Sequence, residues 1–278
     1  MRLSTAIKRF DTQLRADGKS EHTRGAYVRD LRRFRHWVDS NPDITTVTPN
    51  KLAGYLAGEG SMGKPPISLN RTKTALRMFF KFLMDAGHLE GNPARLIKNG
   101  RTEPKAPEYL RPAETQRFLT AIPKNDGLAA RRDRVMFALL LQTGIRLGGL
   151  VKLRIKDVRF DDRALRVNGK GAVERSVYLT SRLRRLLKPY ITKMGLSPDD
   201  PLFPSRNGGH LGRRQVQLRF QNWLKKAGIK RHLTVHSTRH SFAMSLYRQS
   251  GDLRLVQTAL GHRHISTTEI YYVRRGVM

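Results

Sequence analysis

His236 and Arg239, in "HSTRHSFAMSLY", are two side chains able to hold an anion, three residues apart. Residues at that spacing share one face of a helix, and the free N–H groups of a helix start attract negative charge. His240, four residues after His236, completes the spacing of a two-histidine zinc helix. Ser237, however, stands where a metalloprotease needs its glutamate base, so an anion suits the pair better than a metal. A further cation, Arg146, follows an apolar stretch in "TGIRLGGLVKL", flanked by Ile145 and Leu147. Such an arginine is either half of a buried ion pair or part of a pocket floor. Near the chain end, "LGHRHISTTEIYYV" places His262 after a turn and sets Tyr271 beside Tyr272. Both tyrosines could be core aromatics, or one could be a nucleophile. A phenol titrates near ~10, so an attacking tyrosine must lose its proton during the reaction.

The elements that must position these residues read as mainly helical. In "EHTRGAYVRDLRRFRHWVDS", Ala26, Leu31, Phe34 and Val38 recur near helical spacing, with arginines on the other face. Thr48-Pro49 is a helix start, with the cap before a proline at the first helical position. In "SLNRTKTALRMFFKFLMDAG" the apolar stripe runs through Leu69, Ala75, Leu76, Phe79, Phe80 and Leu83, and Gly87 supplies the stop. "NGRTEPKAP" carries glycine and two prolines and no apolar periodicity, which makes residues 99–108 the expected linker. Beyond it lie two helices, the second almost wholly apolar from Val135 to Leu141 and therefore buried. Short alternating runs then predict three strands at 158–160, 164–167 and 175–179, broken by Asp-Asp and by Asn-Gly-Lys-Gly. Helical periodicity returns from Ser181 onward. The expected fold is mainly α: an N-terminal helical bundle over 1–98, then an α-rich domain over 109–278 holding a small antiparallel sheet.

Lysine and arginine number 54 against 22 acidic residues, a formal net charge of +32, and both sides of the linker are basic. Solubility alone needs a net charge of only ~2–8 for a small domain, so the excess points to a polyanionic partner. Nucleic acid fits better than a membrane surface, because the cations are not gathered into one amphipathic helix and no apolar run reaches ~18 residues. Cysteine is absent, which excludes disulfides, thiolate nucleophiles and cysteine-bound zinc. "MRLSTAIKRF" has no apolar core of a signal peptide, and a cytoplasmic, nucleoid-associated location is the expectation.

Taken together, "TGIRLGGL", "GKG" before a strand, "HSTRH" and "LGHRHISTTEIYY" resemble the tyrosine recombinase (phage integrase) family, most closely its simple Xer type, over nearly the whole chain. The resemblance implies a core-binding, SAM-like helical domain followed by a catalytic domain. It implies cleavage and rejoining of DNA through a 3′-phosphotyrosyl intermediate and a Holliday junction, at a specific core site in double-stranded DNA. Partners would be three further subunits on synapsed sites, as a homotetramer or a heterotetramer with a related recombinase. Neither metal nor other cofactor is implied. By matching position, Arg146, His236, Arg239 and His262 would bind the phosphate or move protons, Lys170 would protonate the leaving oxygen, and Tyr271 would attack. Adjacent helical residues point ~100° apart, so only one tyrosine reaches the phosphate, and the family's spacing of nine from His262 selects Tyr271.

The two arginines make chemical sense, since planar bidentate donors clamp nonbridging oxygens and take over the charge-stabilising role of Mg²⁺. Base readout and phosphate contacts are expected from helices at 68–86 and 213–227, with Arg71, Lys73, Arg77, Arg213 and Arg214 as candidates. Two departures from the family pattern stand out. Gly149 occupies the position of a usual carboxylate three residues after Arg146, and only six residues follow Tyr272, fewer than in many relatives. Two other readings share these features: a catalytically silent DNA-binding or architectural relative, and a type IB topoisomerase-like enzyme.

Overall fold

The computed structural model describes the chain apart from residues 40, 59–61, 103–105, 125–126, 169–173, 262–267, 269–270 and 272–278. It divides into two units, Met1–Pro104 and Lys105–Met278.

The first unit is built on helices α1 (Leu3–Ala16), α2 (Glu21–Asp39), α3 (Pro49–Ala57) and α4 (Pro66–Asp85). Their apolar stripes converge on one core that includes Leu3, Phe10, Phe34, Tyr55, Phe79 and Phe80. The rings meet edge-on, as between Phe34 and Tyr55 at 5.1 Å, the arrangement aromatic quadrupoles favour. Thr48 caps α3 by accepting the Lys51 N–H, with Pro49 at the first helical position. The helix expected at 68–86 starts two residues earlier because Pro66 also fits a first turn, where a missing N–H costs nothing. Gly87 follows its end in the left-handed region, at φ +71°. Asp30, 1% exposed on α2, receives Nε and Nη2 of Arg71 at 2.9 and 3.2 Å, a two-pronged tie between α2 and α4.

The second unit contains α5 (Pro112–Thr120), α6 (Gly127–Thr143), α7 (Leu147–Leu150), β1 (Val158–Arg159), β2 (Ala164–Asn168), β3 (Glu174–Tyr178), α8 (Ser181–Met194), α9 (Arg213–Lys226), α10 (Val235–Ser250) and α11 (Leu253–Leu260). Every residue of α6 from Val135 to Leu141 is buried, and the helix packs between α8 and α10. The sheet is antiparallel in the order β1-β2-β3, with Leu165 opposite Val177 and Val167 opposite Arg175. The strands depart from the expected bounds by one residue. β1 stops at Arg159, β2 gains Asn168, and β3 runs from Glu174 to Tyr178 because Leu179 already leads into Thr180, the cap of α8.

Periodicity gives no sign of the buried polar knot in this unit. Asp133 on α6, 1% exposed, accepts from Arg132, from Arg219 Nη1 at 3.0 Å and from Trp223 Nε1 at 2.9 Å. Removing one partner of a buried ion pair strands the other charges, at a cost of about 3–5 kcal/mol. Asp133→Ala is therefore expected to lower the urea midpoint by that equivalent. An unchanged midpoint would mean the knot contributes nothing to stability.

Candidate active site

The C-terminal end of α6 approaches its neighbours closely. Gly144 has φ +60°, and a Cβ there would collide with the Phe242 ring and lie 3.0 Å from Leu260. This contact brings the α6–α7 corner against α10 and α11. Arg146, immediately after the corner, caps α7 and is exposed. Gly149 lies one turn on in α7. Next to it, the Arg213 guanidinium packs on Gly148, where a Cβ would be 2.9 Å from Nη2.

α10 presents His236 and Arg239 from its first two turns. Ser237 accepts the Thr234 N–H at 3.1 Å and so helps close the helix start. Arg239 is 2% exposed. Its Nη1 donates to the Gly144 carbonyl at 2.6 Å and its Nη2 to the Leu260 carbonyl at 2.7 Å. It forms no ion pair among the described residues. Burial pushes its pKa down, and the Arg146 and Arg175 charges push it further. A guanidinium keeps its proton at neutral pH even so, which makes Arg239 a buried cation in need of an anion.

His236 opens to solvent on one side but is enclosed by protein on the other. That enclosure depresses its pKa, with help from Arg239 and Arg146. The ring is therefore neutral at pH 7 and able to accept a proton. The unfolded chain takes up a proton as pH falls through the ordinary value of 6.5, while the folded chain resists it. The stability that neutral His236 contributes is thus present above that value and lost below it. His236→Asn is expected to flatten the acid side of a stability-versus-pH curve. An unaltered slope below pH 6.5 would contradict the assignment.

Tyr271 is 1% exposed and packs with Tyr109, Ala243, Met244, Tyr247, Val256 and Leu260. Its hydroxyl lies 2.7 Å from His240 Nδ1. Burial pushes the phenol up to about 12, partly offset by Arg239. The His240 ring also meets the His236 ring edge-on at 4.8 Å. Among the described residues, no three His, Cys, Asp or Glu side chains gather as a metal site.

The structure thus brings Arg146, His236, Arg239 and Tyr271 into one electrostatically coupled site. Lys170, His262 and Tyr272 lie outside the described residues. Two further members of the neighbourhood escaped the sequence reading. The contact of His240 with Tyr271 depends on tertiary approach and leaves no local signal. For Arg175 the signal was partial: strand alternation sets it on the same face as Val177, with Ser176 and Tyr178 turned outward, but does not say what it reaches.

Of the candidate DNA contacts, Arg71 is forked to Asp30, and Arg77 donates to the Ile97 carbonyl at 2.8 Å. Lys73 is half-buried, and Arg213 and Arg214 are exposed at the start of α9. No helix among the described residues is long and apolar enough to cross a membrane.

Residues 108–275 match the phage integrase family, and residues 7–87 match the phage integrase N-terminal SAM-like domain. The chain is 35% identical over 272 residues to the tyrosine recombinase XerC of Chromobacterium violaceum, covering 97% of this chain and 90% of that one. It is 33% identical to XerC of Xanthomonas campestris, covering 96% and 83%. Among solved structures, XerH recombinase bound to its difH substrate before cleavage superposes with a TM-score of 0.75 at 27% identity, over 94% of this chain and 80% of that chain. A lambda integrase dimer on a core site shares the fold, with a TM-score of 0.78 at 20% identity over 96% and 97%. With both family models matched along most of its length and relatives above 30% identity over nearly the whole chain, this chain is a member of the phage integrase family.

Proposed function

We propose that this protein is a site-specific DNA recombinase, cutting and rejoining duplex DNA through a covalent bond between Tyr271 and a 3′-phosphate. The observation that carries the reading is Arg239. It is a buried cation without a carboxylate among the described residues, fixed by two carbonyls and coupled to both Arg146 and Tyr271. In this reading Arg146 and Arg239 hold the nonbridging oxygens of the scissile phosphate, and the charge that grows during attack falls on donors already in place. The Tyr271 oxygen attacks phosphorus as its proton passes to a neighbouring acceptor. Neutral His236 serves as that acceptor or relays the proton onward. The bond from phosphorus to the 5′-oxygen breaks, and Lys170 returns a proton to the leaving oxygen. His262 adds a donor to the phosphate. The phosphotyrosyl bond conserves the energy of the cut bond for rejoining, so no nucleotide cofactor is required.

Tyr271 is enclosed, so a phosphodiester reaches its hydroxyl only after the tyrosine leaves this shelter. Residues 1–98 act as the core-binding domain, 99–108 as the linker and 109–278 as the catalytic domain. The active assembly is a tetramer of this chain, or of this chain with a related recombinase, on two synapsed sites. The protein works at the nucleoid in the cytoplasm. Arg71, Lys73, Arg77, Arg213 and Arg214 contribute to DNA binding, Arg71 and Arg77 while also holding their own unit together.

A supercoiled plasmid with two core sites, compared with one carrying none, tests the function. Deletion or inversion dependent on the sites is the expected result. Relaxation of either plasmid would identify a topoisomerase, and a mobility shift without strand breakage would identify a binding protein. Binding is also expected to weaken steeply with salt. Neutralising on the order of 6–10 phosphates costs about 10³–10⁵ in affinity between ~50 and ~200 mM. A nearly salt-independent Kd would remove the polyanion from the account.

A further inference from the structure

Arg175 on β3 is a cation that none of the catalytic roles above uses. Its Nη1 donates to the Ala259 carbonyl at 3.2 Å, in the last turn of α11. Its guanidinium approaches Gly261, where a Cβ would stand 2.6 Å from Nη1 and 3.5 Å from Cζ. Gly261 itself has φ +63°, a left-handed conformation that favours glycine, and a side chain there would also displace the Arg175 guanidinium. Arg239 donates to the next carbonyl, Leu260. Two arginines from different elements thereby hold consecutive carbonyls at the end of α11, groups that a helix terminus leaves without partners. The residue after Gly261 is His262.

Arg175 is half-buried and forms no ion pair among the described residues. Burial and the Arg146 charge both act against its protonated form, and its own charge acts against that of Arg239. Two guanidiniums, half-buried Arg175 on β3 and buried Arg239 on α10, thus stand beside exposed Arg146 without a carboxylate among the described residues. Such an arrangement costs stability until an anion arrives.

We propose that Arg175 is a positioning residue for DNA cleavage: it fixes the C-terminal end of α11 and, beside Arg146 and Arg239, supplies a third positive charge to the scissile-phosphate site. The inference rests on the recombinase reading. It also explains why a half-buried, inward strand position is spent on an arginine.

Single-turnover formation of the covalent adduct tests it, on a nicked duplex whose core site is selected from a random-sequence pool by mobility shift. Two substrates are used, one with the ordinary scissile phosphodiester and one with a neutral methylphosphonate at that position. Arg175→Met is expected to slow adduct formation on the phosphodiester by about 10²–10³-fold, as for loss of one preorganised donor. On the neutral substrate the loss should shrink to within about tenfold, because the charge it compensates is gone. Arg175→Lys should recover part of the phosphodiester rate and, with its retained charge, keeps the test open if the methionine variant does not fold. Equal losses on both substrates would reduce Arg175 to a purely structural tie, and unchanged rates in both variants would remove it from the reaction. No adduct from the wild-type chain on either substrate would overturn the recombinase reading itself, and this inference with it.

Discussion

Tyr271→Phe is expected to abolish the covalent protein–DNA adduct on a nicked duplex while leaving affinity for that duplex unchanged. The substitution deletes one oxygen, the atom that would bond to phosphorus. The ring still fills the space among Met244, Tyr247 and Leu260, so the fold survives. The lost hydrogen bond to His240 costs about 1 kcal/mol, since His240 is half-buried and water can take the vacated position. Binding depends on many cations spread over both units, not on a hydroxyl that is 1% exposed. Tyr272→Phe should retain adduct formation. Adduct persisting in Tyr271→Phe and vanishing in Tyr272→Phe would reverse the assignment.

The second large effect is expected at Arg239. Arg239→Met should lower adduct formation by about 10³-fold, at the upper end for loss of a fixed donor, because its planar fork is not replaced. Stability should change far less. The Gly144 and Leu260 carbonyls lose their donor, at about 1–3 kcal/mol each. Against that, a buried cation held among two like charges is removed, which relieves the folded state. A chain that gives up little stability yet loses its chemistry has spent stability on its site. Arg239→Lys should also be impaired, because a single ammonium cannot reach both carbonyls and two phosphate oxygens. Adduct formation at the wild-type rate in either variant would separate Arg239 from the phosphate.

Much of this site could be read from the sequence because it lies in short segments with strict spacing. His236 and Arg239 share a helix face, and α10 does carry them from its first two turns. The run from Val135 to Leu141 had to be buried, and its burial sets the corner after which Arg146 stands. Harder to see were features that depend on the third dimension. Arg71 and Arg77 look like free cations on a polar helix face, yet one is forked to buried Asp30 and the other bonded to the Ile97 carbonyl. Asp133 looks like a solvent-facing acid, but α6 is buried on nearly every side, and the charge is kept by gathering three donors. Arg175 sits at an inward strand position where a hydrophobe is the default, and alternation alone does not say what it reaches. Strand bounds slipped by one residue because hydrogen bonding, not composition, decides where a ladder stops.

The proposed chemistry also bears on Gly149. Where relatives place a carboxylate near the first arginine, this chain leaves two small residues, and the Arg213 side chain lies over Gly148. The local charge is therefore more positive than a carboxylate would allow, which suits a pocket that relies on a bound phosphate for its balance.

The central claim is a bond between Tyr271 and a 3′-phosphate. The most direct test traps wild-type protein on the nicked core-site duplex, digests the complex with nuclease and trypsin, and locates the added nucleotide by tandem mass spectrometry. A single modified residue, Tyr271, carrying a 3′-linked nucleotide, is the expected result. A phosphate-linked nucleotide on any other residue, or full strand binding with no covalent product, would contradict it.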